Sequence, residues 1–360
     1  MHAQAELASR LPAKAGTVFT EPIGQPAKAD RRGSPDQGTL NGLPTELPLA
    51  AGGALGYTPA MDCAAITDLL RAERLLPPGD LPRLSPLAGG YWNQVWRLQN
   101  GTCDWVVKVF DLHSEPRLFP VLPDSEARSM TVLSGLDLAP DPIGYLPRTG
   151  ERPAVLVYHF HEGRPWQSDT SKVARLLKRQ HELAPDGFRR LATDPETILA
   201  QGDWLIRHLE DDAYAARLSA CRPTPLRLDA PRLAFVHTDA GPGNLIEGPR
   251  GLRLIDWQCP GLGDPAEDLF SFLAPCFQIL FQHAPLSDAE RMDFLATYDD
   301  AEVAARLQVM EPFFAYRMLA YCCLRRVRLS DRDKIAAERY RSAFEAQMPL
   351  QGAGGGFISA

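Results

Sequence analysis

Two short apolar runs that both end in acids constrain this chain more than any other feature. Leu233-Ala234-Phe235-Val236 leads into HTDAGPGNL at 237–245, and Leu252-Arg253-Leu254-Ile255 leads into Asp256-Trp257. Runs of this length, rich in branched and aromatic residues and bounded by glycine and proline, predict buried strands. Strands 245–247 and 252–255 would pair across the turn Gly248-Pro249-Arg250-Gly251. That hairpin brings Asn244 and Asp256 to one end, with Asp239 on the loop just before.

An amide oxygen and a carboxylate at one point suit a hard cation such as Mg²⁺, which takes oxygen ligands together with substrate phosphates. The spacing Asp239-x-x-x-x-Asn244 is that of a phosphoryl-transfer catalytic loop, in which the acid accepts a hydroxyl proton. Gly241 and Gly243 allow the tight turns of such a loop, and His237 and Thr238 would orient it through side-chain hydrogen bonds. Taken singly, Asp239 and Asn244 read as turn residues and Asp256 as a cap.

The remaining chain divides by composition. Residues 1–60 are rich in Pro, Gly and Ala without a sustained period, which predicts a disordered extension, with Met61 as a candidate native start. Residues 61–160 carry strand signals: a hairpin of 93–98 and 105–110 turning at Asn100-Gly101, and a strand at 153–158. A helix is expected at 124–134, capped by Asp124 or Ser125. From 161 to 348 the apolar spacing is helical. Helices are expected after Asp169 or Thr170, through 202–218, and over 268–281, 288–298 and 311–329, with 349–360 as a flexible tail. The fold class is α+β.

Charge and cysteine usage narrow the function. The formal net charge of −7 comes without a basic stripe, so no nucleic-acid partner is expected. Seven cysteines, an odd number with no CxxC pair, favour a reducing compartment. With no run of membrane-spanning length, a cytoplasmic protein without a membrane partner is expected. No oligomeric state is indicated.

HTDAGPGNL followed by RLIDWQCPGLGDPAEDL (253–269) resembles the aminoglycoside phosphotransferase and choline kinase superfamily, which has the protein-kinase-like fold. The resemblance implies a bilobal molecule, with a small N-terminal antiparallel-sheet lobe that binds ATP phosphates and a larger, mostly helical C-terminal lobe. It implies Asp239 as catalytic base, Asn244 and Asp256 as Mg²⁺ ligands, and Asp264 and Asp268 as structural acids. From the residues alone, those last two read as helix caps around Pro265. LAGGYWNQVWRL (87–98) resembles the family's phosphate loop and implies Gly89, Gly90 and Asn93 near ATP. Lys108 inside WVVKVF is costly unless paired. Its expected role is contact with the phosphates, and its expected partner is Glu126.

VLVYHFHEG (155–163) falls at the expected lobe junction, where backbone groups from Tyr158 to Phe160 would meet the adenine. His159 and His161 read as ordinary surface residues. Trp204, Trp257, Gln258, Tyr298 and the acids Glu210, Asp211 and Asp212 are candidates to line the substrate site, with core packing as the other reading of the aromatic ones. Ala240-Gly241 and Gln258-Cys259 depart from common family residues. The expected activity is transfer of the γ-phosphoryl group of ATP to a hydroxyl of a small molecule. Alternatives are a nucleotide-binding pseudokinase or regulatory module, or a protein Ser/Thr kinase. Against the last, no Asp-Phe-Gly or Ala-Pro-Glu segment follows Asp256.

Overall fold

The computed structural model describes residues 61–76, 81–87, 93–110, 118–209 and 212–352. The expectations for residues 1–60, for Gly89 and Gly90, for Glu210 and Asp211, and for the tail beyond 352 lie outside the described residues.

The small lobe is built on a five-stranded antiparallel sheet of order β1-β2-β3-β5-β4. Its strands are β1 (Arg83–Pro86), β2 (Gln94–Gln99), β3 (Asp104–Val109), β4 (Pro142–Leu146) and β5 (Val155–His159). The β2–β3 turn closes where Asn100 Oδ1 accepts the Thr102 and Cys103 amides at 3.0 and 2.8 Å. Helix α1 (Cys63–Ala72) is capped by Asp62 and lays Ile66 and Leu70 on one face of the sheet, against Trp105, Val107 and Val109. The strand period of two then turns Val106 and Lys108 to the opposite face, toward the large lobe.

Helix α2 (Pro123–Leu133) starts one residue earlier than the sequence suggests, and neither Asp124 nor Ser125 caps it. Pro123 occupies the first turn, where its missing N–H costs nothing. Asp124 instead accepts the Tyr145 hydroxyl at 2.7 Å, so a tertiary contact has taken the candidate cap.

In the large lobe, α3 (Thr170–His181) is capped by Asp169 as expected. The helix expected over 202–218 is two helices, α4 (Pro195–Ile206) and α5 (Ala213–Ala220). Asp212 starts the second by accepting the Tyr214 and Ala215 amides. A proline also divides 268–281, giving α6 (Pro265–Leu273) and α7 (Pro275–Leu280). The helix expected from 311 begins ten residues earlier: α9 (Ala301–Leu329) runs through Pro312 and follows α8 (Asp288–Tyr298). The last helix, α10 (Lys334–Gly352), reaches into the expected tail.

Between these helices lie the short strands that place the site. β6 (Arg164–Pro165) pairs with β8 (Leu245–Gly248), β8 pairs with β9 (Gly251–Leu254), and β7 (Ala234–Val236) pairs with β10 (Gly261–Gly263). Leu245 stands opposite Leu254, so the expected hairpin register is present. One continuous apolar core runs from the inner face of the sheet through α3, α6 and α9. No helix among the described residues is long and apolar enough to cross a membrane.

Candidate functional site

β3 delivers Lys108 to the inner face of the small lobe, and α2 delivers Glu126 opposite it. The Lys108 ammonium donates to both Glu126 carboxylate oxygens, at 2.9 and 2.7 Å. It also reaches Asp256 Oδ1 at 2.5 Å, so three charges from three elements meet at one point. Lys108 and Glu126 are 3% and 1% exposed, whereas Asp256 is 37% exposed and opens the cluster to solvent. Burial alone would depress the lysine pKa, but Asp256 and Glu126 carry it above its ordinary value. Burial pushes the Glu126 carboxyl up to about 7 against the pull of Lys108.

The loop after β7 is held by a buried acid. Asp268, on α6, accepts the His237 and Thr238 amides at 2.8 and 2.7 Å. It also accepts Gln180 Nε2 at 2.8 Å and faces His181 Nε2 at 3.1 Å. Burial raises the Asp268 pKa, yet these hydrogen bonds, led by that from His181, hold it below the ordinary value. Asp268 is therefore an anchor for the loop; of the two acids read as caps, only Asp264 acts as one, accepting the Ala266 amide. The anchoring matters because Thr238 has φ +72°, a costly conformation for a β-branched residue. Its hydroxyl donates to the Cys259 carbonyl at 3.1 Å.

His237 ties the loop to the hairpin. Its Nδ1 accepts the Asp239 amide at 3.3 Å, so Nε2 is the protonated nitrogen and donates to the Ile255 carbonyl at 3.0 Å. Burial lowers its pKa, in keeping with that neutral tautomer. The chain then makes a single 3₁₀ turn, Pro242–Asn244. Asn244 Nδ2 donates to the Asp239 carbonyl at 2.8 Å, and the Ile255 amide donates to the Asn244 carbonyl at 2.9 Å. Asp239, Asn244 and Asp256 thus share one end of the hairpin. Asp256 is itself left-handed, with φ +64°. Asp239 is half-buried, and desolvation followed by the Asp256 charge raises its pKa to about 7.

Around this centre, Gln258 bridges the lobes. Its side chain accepts Asn93 Nδ2 at 3.4 Å, and its carbonyl accepts the Leu122 amide at 2.9 Å, just ahead of α2. At the lobe junction Tyr158 is buried, and the Phe160 amide donates to the Asp104 carbonyl at 2.9 Å, prolonging the β3–β5 ladder. The Phe160 ring lies 3.7 Å from the Arg97 guanidinium, which Asp104 grips at 2.7 and 2.6 Å. His159 is exposed, but His161 is not a surface residue: it is 6% exposed and its Nε2 faces the Gly251 carbonyl at 3.2 Å.

Of the candidate lining residues, Trp257 and Tyr298 are fully buried core residues, the former stacked on Phe235 at 5.4 Å. Trp204 is half-buried against His208. Asp212 is spent on its cap and on Arg326. Two residues that matter to the loop, Asp268 as an anchor and Phe281 beside Gly241 and Gly243, carried no sequence signal for those contacts. Among the described residues no group of three or more His, Cys, Asp or Glu side chains could hold a metal ion.

A model of the phosphotransferase enzyme family matches residues 83–313. Thiamine kinase of Escherichia coli O157:H7 is 34% identical over 117 residues, covering 32% of this chain and 41% of that protein. Thiamine kinase of Shigella boydii serotype 4 is 36% identical over 103 residues, 28% of this chain and 36% of that protein. The chain therefore spans less than half the length of these relatives. Among solved structures, spectinomycin phosphotransferase APH(9)-Ia with ADP and spectinomycin is 12% identical with a TM-score of 0.56, covering 80% of this chain and 98% of that one. Choline kinase from Cryptosporidium parvum Iowa II is 13% identical with a TM-score of 0.58, covering 81% and 97%. These two likenesses show a shared kinase-like fold.

Proposed function

The chain belongs to the APH phosphotransferase enzyme family, and from that membership we propose that it moves the γ-phosphoryl group of ATP to a hydroxyl of a small molecule. The observation that carries the proposal is the meeting of Lys108, Glu126 and Asp256 beside the hairpin end that holds Asp239 and Asn244. Residues 61–160 form the ATP-binding lobe and 161–348 the lobe that binds the acceptor. A cytoplasmic setting agrees with the seven free thiols.

Each residue has one task. Lys108, fixed by Glu126, contacts the ATP phosphates from the roof of the site. Gly89, Gly90 and Asn93 are assigned to contact with those phosphates, and the backbone around Tyr158 and Phe160 to the adenine. Asp239 takes the proton of the acceptor hydroxyl as its oxygen bonds to phosphorus and ADP leaves, giving a phosphate ester. A base with a pKa near 7 suits that task at neutral pH.

The donor set fits Mg²⁺. Asn244 spends its amide nitrogen on the Asp239 carbonyl, which leaves its oxygen for a cation, and Asp256 is the open member of its cluster. Two protein oxygens are enough for an ion that keeps waters and substrate phosphates in its shell. When bound there, the ion would neutralise phosphate charge during transfer.

The acceptor is a small molecule bearing a hydroxyl, and the thiamine kinases among the relatives make thiamine the first to try. The test is a mass-spectrometric screen of a hydroxyl-metabolite panel, thiamine, choline and aminoglycosides included, incubated with the protein and Mg-ATP. A product heavier by one phosphoryl group supports the proposal; ATP binding with no phosphorylated product across the panel counts against it.

A further inference from the structure

The loop between Asp239 and Asn244 is made thin by two glycines, and one aromatic ring fills the space. A Cβ on Gly243 would overlap the Phe281 ring, and a Cβ on Gly241 would come within 2.6 Å of it and 3.2 Å of Phe277. Neither glycine has a positive φ, so the backbone conformation itself would accept alanine at both positions. The obstacle is aromatic: the Phe281 ring at both glycines, joined at Gly241 by Phe277.

Phe281 is well placed to act as a fixed wall. It follows α7 directly, and its amide donates to the Phe277 carbonyl at 3.2 Å. Gln282, at φ +66°, turns the chain out of the helix, and the His283 amide donates back to the Gln278 carbonyl at 2.8 Å. Gln278 is buried and its Nε2 donates to the Phe272 carbonyl at 2.5 Å, which locks this helix end to α6. On the loop side, the Asp239 carbonyl and Asn244 Nδ2 are joined at 2.8 Å. A shift of the glycines between them would move both side chains.

We propose that Phe281 is a positioning residue for the catalytic loop: its ring, seated against Gly241 and Gly243, sets the distance and orientation of Asp239 relative to Asn244. The roles of Asp239 and Asn244 rest on the function proposed above; the packing of Phe281 on the loop does not.

The reciprocal fit supplies the test. Gly243→Ala, Phe281→Ala, Phe281→Leu and the double variant Gly243→Ala/Phe281→Ala are compared in the full chain. Hydrogen exchange of the peptide covering 237–245 and ATP consumption with the acceptor that the hydroxyl-metabolite panel identifies are both measured. Gly243→Ala overpacks the loop and should speed its exchange by about 5- to 150-fold. The double variant should return exchange toward the wild-type rate, because the methyl then occupies vacated space. In turnover, Gly243→Ala and Phe281→Ala should each lower kcat by on the order of 100-fold with the KM for ATP little changed. Phe281→Leu, which refills part of the space, should recover part of kcat and covers the case in which Phe281→Ala fails to fold. Unchanged loop exchange in Gly243→Ala, or no recovery in the double variant, overturns the proposal. If the wild-type protein transfers no phosphoryl group, the functional reading fails while the exchange cycle still decides the role of Phe281.

Discussion

Lys108 on β3 of the small lobe and Asp256 at the hairpin end of the large lobe meet at 2.5 Å, across 148 residues of chain. Glu126 holds the same ammonium from α2, so one buried lysine joins the sheet, the helix beside it and the hairpin that ends at Asp256. Such a cluster is weak evidence for stability, because taking the Lys108 and Glu126 charges out of water is costly. Its value is registry: it fixes the two lobes relative to each other at the point where phosphates would lie.

Lys108→Met should lower kcat/KM for ATP on the order of 10²-fold or more, as expected for loss of a preorganised charge. It should also destabilise the protein by about 3 kcal/mol by stranding Glu126. The loss has a pH sign. Burial already raises the folded-state pKa of Glu126 to about 7, above its ordinary 4.5, so its contribution favours the fold below the ordinary value and is lost as pH rises through the folded value. Without Lys108 that pKa goes higher, so the deficit should be larger at pH 8 than at pH 6 in urea unfolding.

Asp239→Asn should abolish transfer and yet stabilise the protein. Burial and the Asp256 charge raise the Asp239 pKa from 3.8 to about 7. A raised carboxyl pKa favours the fold at low pH and costs stability as pH rises through the folded value. The gain in melting temperature from Asp239→Asn should therefore grow between about pH 4 and pH 7 and level off above. A variant less stable than the wild type at pH 8 would contradict this.

Asp268→Asn should destabilise the protein by about 2–4 kcal/mol, because an amide cannot accept both loop N–H groups and strands one buried donor. With Thr238 no longer held at its positive φ, kcat should fall as well. Urea unfolding and steady-state rates on the same preparation separate the two effects.

Gln258→Ala should raise the KM for ATP by about tenfold, the size of one lost hydrogen bond. The bridge from Asn93 to the entrance of α2 would be broken. Steady-state rates across a range of Mg-ATP concentrations measure this directly.

The two strands leading to Asp239 and Asp256 were legible because a short apolar run bounded by turn residues is a local signal. The Lys108–Glu126 pair was legible because a lysine among valines demands a partner. Where the reading failed, a distant contact had overridden a local one. Asp124 looks like a cap but serves Tyr145, and Asp268 looks like a helix-start acid but serves amides 30 and 31 residues away. His161 looks exposed in a polar stretch, yet β6 draws its segment onto β8 and buries it. The break between α4 and α5 was locally signalled by Asp212, a cap that the helical trend obscured. The ring of Phe281 could not be read at all, since only the folded chain brings it to Gly243.

The most direct test follows the γ-phosphoryl group itself. ATP labelled at the γ-phosphorus is incubated with Mg²⁺, the hydroxyl-metabolite panel and either the wild-type protein or Asp239→Asn. The expected result is label in a small-molecule phosphate ester, formed in step with ADP by the wild type and reduced by orders of magnitude by the variant, which still binds Mg-ATP. Label remaining in ATP for the wild type, or equal transfer by Asp239→Asn, would contradict a small-molecule phosphotransferase that uses Asp239 as its base.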